Sequence, residues 1–90
     1  MRKIISTVFK NEYKTLYLCD DSRGTTYLIC KKLGLSKKVT GNIIFNLIKK
    51  GLIVPSEHLD EWGDKWYHST EKGKNFLKIY AKRLNLEEDF

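Results

Sequence analysis

Lys38, Gly41, Asn42, Phe45 and Lys49 recur at spacings that, at about 100° per residue, bring them to one side of a helix. A polar, basic strip of this kind suits a polyanion. Ammonium groups hold phosphates, a glycine lets the backbone approach a groove closely, and an asparagine meets adenine with a paired donor and acceptor. Phe45 either touches a thymine methyl or packs under a following hairpin, and the plain alternative for the whole strip is a solvated face. Lys37 and Lys38 fall in the first turn of that helix, where the positive end of the helix dipole makes a cation unfavourable. A phosphate docked there would meet free N–H groups, the dipole and two ammonium groups together, which converts a local defect into a site. Lys31 and Lys32, one helix earlier, extend this surface or merely solubilise their helix.

Other chemistry is poorly represented. Cys19, Cys30, His58 and His68 could be offered as a zinc set, but their spacings match none of the close-paired patterns of structural zinc sites. Cys30 reads as a small core thiol, with disulfide pairing as the alternative. No grouping of serine, histidine and carboxylate and no phosphate-binding glycine loop is visible, so no catalytic residue, metal or cofactor is expected. The paired acids Asp20-Asp21 and Asp60-Glu61 read as solvated turn residues.

The chain has 90 residues, 41% of them hydrophobic, enough for one core and too few for two. Its 17 Lys and Arg against 11 Asp and Glu give a formal charge of +6, which attracts nucleic acid or anionic lipid. No apolar run reaches the roughly 18 residues of a membrane span, and Ser6, Thr7 and Lys10 interrupt the start before it could serve as a signal peptide. With only two cysteines, a cytoplasmic protein without membrane attachment is expected. Absent glutamine, a single alanine and frequent lysine, isoleucine and tyrosine are usual in proteins of hot-living hosts.

Local signals divide the chain into the elements that must position the strip. Ile4, Ile5, Val8, Phe9, Tyr13, Leu16 and Tyr17 recur with helical period and predict a first helix over residues 1–19. A turn from Asp20 to Gly24 follows, and Thr25 or Thr26 caps a second helix that ends at Leu33 with Ile29, Cys30 and Leu33 on one side. Gly34 turns the chain, Ser36 caps a third helix, and Gly51 ends it by entering the left-handed conformation. Residues 25–51 thus read as a helix-turn-helix. Val39, Ile43 and Leu47 are expected to line the buried face of the third helix, with Ile44 and Ile48 on its flank. Leu52-Ile53-Val54 reads as a strand that Pro55 confines to a sheet edge. After a turn at residues 60–64, Lys65 to His68 return, so that residues 52–69 form a hairpin. Thr70 caps a last helix over residues 70–86, with Glu71 in its first turn, and residues 87–90 are an acidic tail.

This order is mainly α with a small β-hairpin, that of a single winged helix-turn-helix domain over residues 1–90. The runs Leu33-Gly34-Leu35-Ser36, Leu47-Ile48-Lys49-Lys50-Gly51-Leu52-Ile53 and Tyr67-His68-Ser69-Thr70-Glu71-Lys72-Gly73 resemble the winged-helix transcription regulators of the MarR and PadR type. They also resemble the small one-domain relatives of archaea and their viruses. The resemblance covers residues 25–75 and implies a sequence-specific regulator that binds double-stranded DNA, commonly as a homodimer. The third helix would then enter the major groove while Lys31, Lys32, Lys37, Lys38 and Lys49 hold phosphates. Two positions depart from the pattern. Ser69 replaces an apolar residue, which predicts a less firmly seated hairpin, and the hairpin tip is acidic where relatives are often basic.

Glu57, Asp60, Glu61 and Asp64 would repel phosphates, so the tip is expected to stay clear of the duplex or to meet a basic patch on another protein. Trp62 and Trp66 either anchor such a partner or cover the hairpin's own base. The rival function is therefore a winged-helix protein-interaction module that uses the acidic, Trp-bearing hairpin or the last helix. A homodimer is expected from an excess of apolar surface. Ile4, Val8 and Tyr13 lie beside Ile5, Phe9 and Leu16, and the last helix adds Phe76, Leu77, Tyr80 and Leu84. A two-fold seam of Ile5, Phe9, Phe76, Leu77, Tyr80 and Leu84 would leave each third helix free to face successive major grooves about 34–36 Å apart.

Overall fold

The computed structural model describes residues 7–84, and the side chains of residues 10–79. Helix α1 spans Thr7–Asp20, α2 Thr26–Leu33 and α3 Lys37–Lys49; strands β1, Ile53–Leu59, and β2, Lys65–Ser69, form a hairpin, and α4 spans Glu71–Leu84. The expected start of the first helix at residues 1–6, the end of the last helix beyond residue 84 and the acidic tail lie outside the described residues. Among the described residues no helix is long and apolar enough to cross a membrane.

Each joint has a local cause. Thr25 Oγ1 accepts the Leu28 N–H at 3.2 Å and Ser36 Oγ accepts the Val39 N–H at 3.1 Å, so α2 and α3 both begin on side-chain caps, each worth about 1 kcal/mol. Gly34 follows α2 at φ 67° and Gly51 follows α3 at φ 76°, a region that disfavours any residue with a Cβ. Thr70 Oγ1 accepts the Gly73 N–H at 3.0 Å and donates to the Gly51 carbonyl at 2.7 Å. One hydroxyl thereby starts α4 and ties it to the end of α3.

The core gathers Leu16 and Leu18 from α1, Ile29 from α2, Ile43, Ile44 and Leu47 from α3, and Leu52 and Ile53 at the start of the hairpin. Two expectations fail here. Val39, expected on the buried face of α3, is 43% exposed, and Thr40 is buried instead, with Cys30 Sγ donating to its Oγ1 at 3.2 Å. The buried stripe is Thr40, Ile43, Ile44 and Leu47, because a small polar pair rather than an apolar side chain fills the crossing with α2. Leu77, expected at a seam between chains, packs in this chain's own core, and Tyr13 Oη donates to its carbonyl at 3.0 Å.

The hairpin pairs antiparallel with Ile53 opposite Ser69 and Pro55 opposite Tyr67, and its register slips between Pro55 and Leu59. On the other edge of β2, Thr25 bridges Trp66 and the Tyr67 N–H donates to the Gly24 carbonyl at 2.9 Å. The proline therefore lies on the outer strand, where a missing N–H costs least. This close approach also requires Gly24, since a Cβ there would collide with the Tyr67 carbonyl and the Cys19 backbone.

Polar groups hold the hairpin's base. Ser69 Oγ donates to Asp20 Oδ1 at 2.5 Å, and Lys74 Nζ reaches the same oxygen at 2.7 Å. Ser69 thus has a partner that an apolar residue would lack, and Asp20, expected as a solvated turn residue, joins α1 to β2 and α4. Hydrogen bonds from Lys74 and Ser69 hold the Asp20 carboxyl below its ordinary value. A depressed carboxyl contributes stability above its unfolded pKa of about 4 and loses that contribution as pH falls through the folded value. Asp20→Asn is expected to lower the thermal midpoint at neutral pH, with the gap to the parent closing as melts are run further below about pH 4. A gap of constant size across that range would contradict the assignment.

Candidate nucleic-acid interface

With Thr40, Ile43, Ile44 and Leu47 turned inward, α3 presents Lys38, Val39, Gly41, Asn42, Phe45 and Lys49 to solvent along its opposite side. Every residue of the strip expected from the sequence is exposed. Phe45, at 60% exposure, does not pack beneath the hairpin, and the Lys49 ammonium sits 5.4 Å from its ring centroid. Val39 joins the strip as an apolar member that sequence reasoning placed on the wrong side.

Lys37 and Lys38 are the first two residues of α3, and no acidic residue shares their turn. Ser36 occupies the Val39 N–H, while the first N–H groups of a helix have no acceptor within it. Two ammonium groups therefore flank a positive helix end. Lys31 and Lys32 are also exposed, but they lie in the last turn of α2, where a cation suits the dipole, and Lys31 Nζ is 5.8 Å from the Tyr27 ring centroid. The α2 lysines have a structural rationale of their own. Lys37 and Lys38, at the opposite helix end, have no such rationale, which makes them the more informative pair.

The hairpin tip is built by its acids. Asp60 Oδ1 accepts the Trp62 N–H at 2.8 Å and the Asp64 N–H at 2.9 Å, so Asp60 shapes the turn and is not simply solvated. Trp66 is half-buried, whereas Trp62 is 78% exposed. Tyr27, Asp60, Trp62 and Asp64 line a cleft of about 370 Å³ between the start of α2 and the tip. Glu57 and Glu61 are exposed.

Neither cysteine is bonded to another. Both are free thiols, and burial, with a smaller part from the Asp20 charge, pushes the Cys19 thiol up to about 12. A group so rarely ionised at neutral pH is a poor nucleophile or metal ligand. Among the described residues no group of three His, Cys, Asp or Glu is placed to hold a metal ion.

On α4, Phe76 is half-buried against the core and Ile79 is 67% exposed. The side chains of Phe9, Tyr80 and Leu84, and the whole of Ile5, lie outside the described residues. Sequence reasoning passed over Ile79, although its three-residue step from Phe76 could have flagged it.

Three helices, an antiparallel hairpin and a fourth helix, with the basic strip on the third, define a winged helix-turn-helix. The fold is similar to that of a MarR-family transcriptional regulator from Rhodococcus sp. RHA1, with a TM-score of 0.72 and 21% identity over 83% of this chain and 54% of that one. A PadR-like transcriptional regulator from Bacillus cereus gives a TM-score of 0.74 and 21% identity over 93% of this chain and 91% of that one. The Streptococcus mutans UA159 protein smu.1704 gives 0.77 and 19% identity over 98% and 87%. The chain spans 54% of the length of the Rhodococcus regulator and 59% of that of the regulator SlyA. These likenesses are of fold, and the Rhodococcus, SlyA and Bacillus cereus proteins among them are regulators of transcription. No family model and no curated protein matches the sequence.

Proposed function

We propose that this protein is a DNA-binding regulator of transcription that works in the cytoplasm as a homodimer and places α3 in the major groove. The observation that carries the reading is the exposed strip of α3, polar and basic opposite a buried stripe, with two lysines at a helix end that disfavours them. Similarity of fold to MarR-family and PadR-like regulators supports it. Lys31, Lys32, Lys37, Lys38 and Lys49 hold phosphates, and Gly41, Asn42 and Phe45 face base edges.

The dimer seam uses α1 and α4, with Ile5, Phe9, Phe76, Tyr80 and Leu84 and with the exposed Ile79 in place of Leu77. At about 25 cal/mol per Å², covering that apolar surface offsets part of the cost of association. Light scattering should report twice the chain mass, and a monomer at micromolar concentration would remove the seam.

Gel shifts with single variants test the groove assignment. Lys38→Ala and Lys49→Ala are expected to weaken binding to every duplex alike, whereas Asn42→Ala should cost about 1–3 kcal/mol at particular base pairs and relax discrimination there. Unchanged discrimination in Asn42→Ala would refute the register. A second reading, a protein partner at the wing, draws on the exposed Trp62 beside the acidic cleft. Glu61→Lys separates the two, because it should strengthen non-specific DNA binding if the tip only repels phosphates and abolish a basic partner's binding if the tip is a docking site.

A further inference from the structure

We infer that α3 reads A·T base pairs through thymine methyl groups, with Val39 and Phe45 as the methyl contacts on either side of Asn42. The inference rests on the DNA-binding reading above and adds which bases it selects. Val39 is 43% exposed and Phe45 60% exposed, on the strip that faces away from the core. They are six residues apart, about 9 Å along a helix axis, which corresponds to about three base-pair steps of 3.4 Å. Asn42 lies midway and is exposed on the same strip.

Among the four base-pair orientations, only thymine presents a methyl group in the major groove, and an asparagine amide matches the adenine edge. Guanine is read most often by a guanidinium or ammonium that reaches O6 and N7 together. The chain's arginines are Arg2, Arg23 and Arg83, so none lies on α2, α3 or the hairpin. Arg23 is paired with Asp21 at 2.7 Å. Lys37 and Lys38 sit at the helix start, where phosphates are held, and the Lys49 ammonium lies over the Phe45 ring. The base-facing set that remains is apolar, amide, apolar, which complements thymine, adenine, thymine.

The test selects bound duplexes from a random pool and then replaces each thymine of the selected site singly by uracil, which deletes only the methyl group. Two positions should each lose about three- to fivefold in affinity, the worth of one buried methyl. Val39→Ala and Phe45→Ala should each make one of those positions indifferent to the exchange, and both side chains are exposed enough to leave the circular dichroism spectrum unchanged. A selected site read at G·C pairs, or one blind to every uracil exchange, overturns the inference while leaving the DNA-binding reading intact. Failure to bind any duplex overturns both.

Discussion

Replacing Lys37 and Lys38 together by glutamate is expected to abolish detectable DNA binding while leaving the protein as stable as before, or slightly more so. The two effects have opposite signs because one helix end serves both. Negative charge in the first turn of α3 complements the dipole and should contribute about 0.3–1 kcal/mol per residue to stability. In binding, a charge pair at 4 Å in water is worth about 1 kcal/mol, so removing the four ammonium groups that a dimer places on phosphates costs on the order of 10³ in affinity before any repulsion is added. Denaturant melts and gel shifts on the same preparation check both halves. A variant that binds as the parent does would show that phosphates are held elsewhere, and a destabilised one would show that the lysines have structural partners at this end.

Gly73→Ala should be strongly destabilising. Helix propensity alone predicts the reverse, since alanine is favoured over glycine in a helix interior by about 0.8–1 kcal/mol. Here α4 runs against the backbone that enters β1, so a Cβ at Gly73 would collide with the Leu52 carbonyl and meet Leu16 Cδ1 at 3.1 Å. The same carbonyl accepts the Thr70 N–H at 3.0 Å, which leaves it little freedom to retreat. An overpacked site of this kind costs about 1–3 kcal/mol or more, and the steric term is expected to win by about 2 kcal/mol. In a domain of this size that lowers the thermal midpoint by about 10 °C. Gly41→Ala is the matched control, because nothing lies within 4 Å of a Cβ there and propensity acts unopposed. It should melt higher than the parent and bind DNA less well. If Gly73→Ala also melts higher, α4 does not press so closely on the Leu52 backbone.

The features legible in the sequence were those written in neighbouring residues. Caps at Thr25 and Ser36, left-handed glycines at 34 and 51 and the outer-strand proline each depend on a few adjacent positions. What was misread depends on groups distant along the chain. Thr40 is polar by type and gave way to Val39 in the expected stripe, yet its hydroxyl has a partner in Cys30 and can be buried, while its three- and four-residue steps to Ile43 and Ile44 carried the correct phase. Asp20 meets Ser69 and Lys74 across 49 and 54 residues, and no local pattern announces such a meeting. Leu77 and Ile79 are both apolar and two residues apart on α4, so type alone could not assign one to the core and the other to the surface. The basic strip survived the rotation of α3 because its members span a broad arc. Val39 left the expected buried stripe and Thr40 took its place.

The central claim, that α3 and its flanking lysines hold DNA, is tested most directly by titrating the unmodified protein against a selected duplex at several salt concentrations. Neutralised phosphates release counterions, so a dimer that neutralises about 6–10 of them should lose on the order of 10³–10⁵ in affinity between about 50 and 200 mM salt. The slope should fall in proportion when Lys38 and Lys49 are replaced by alanine. An affinity that stays level across this range would contradict the account.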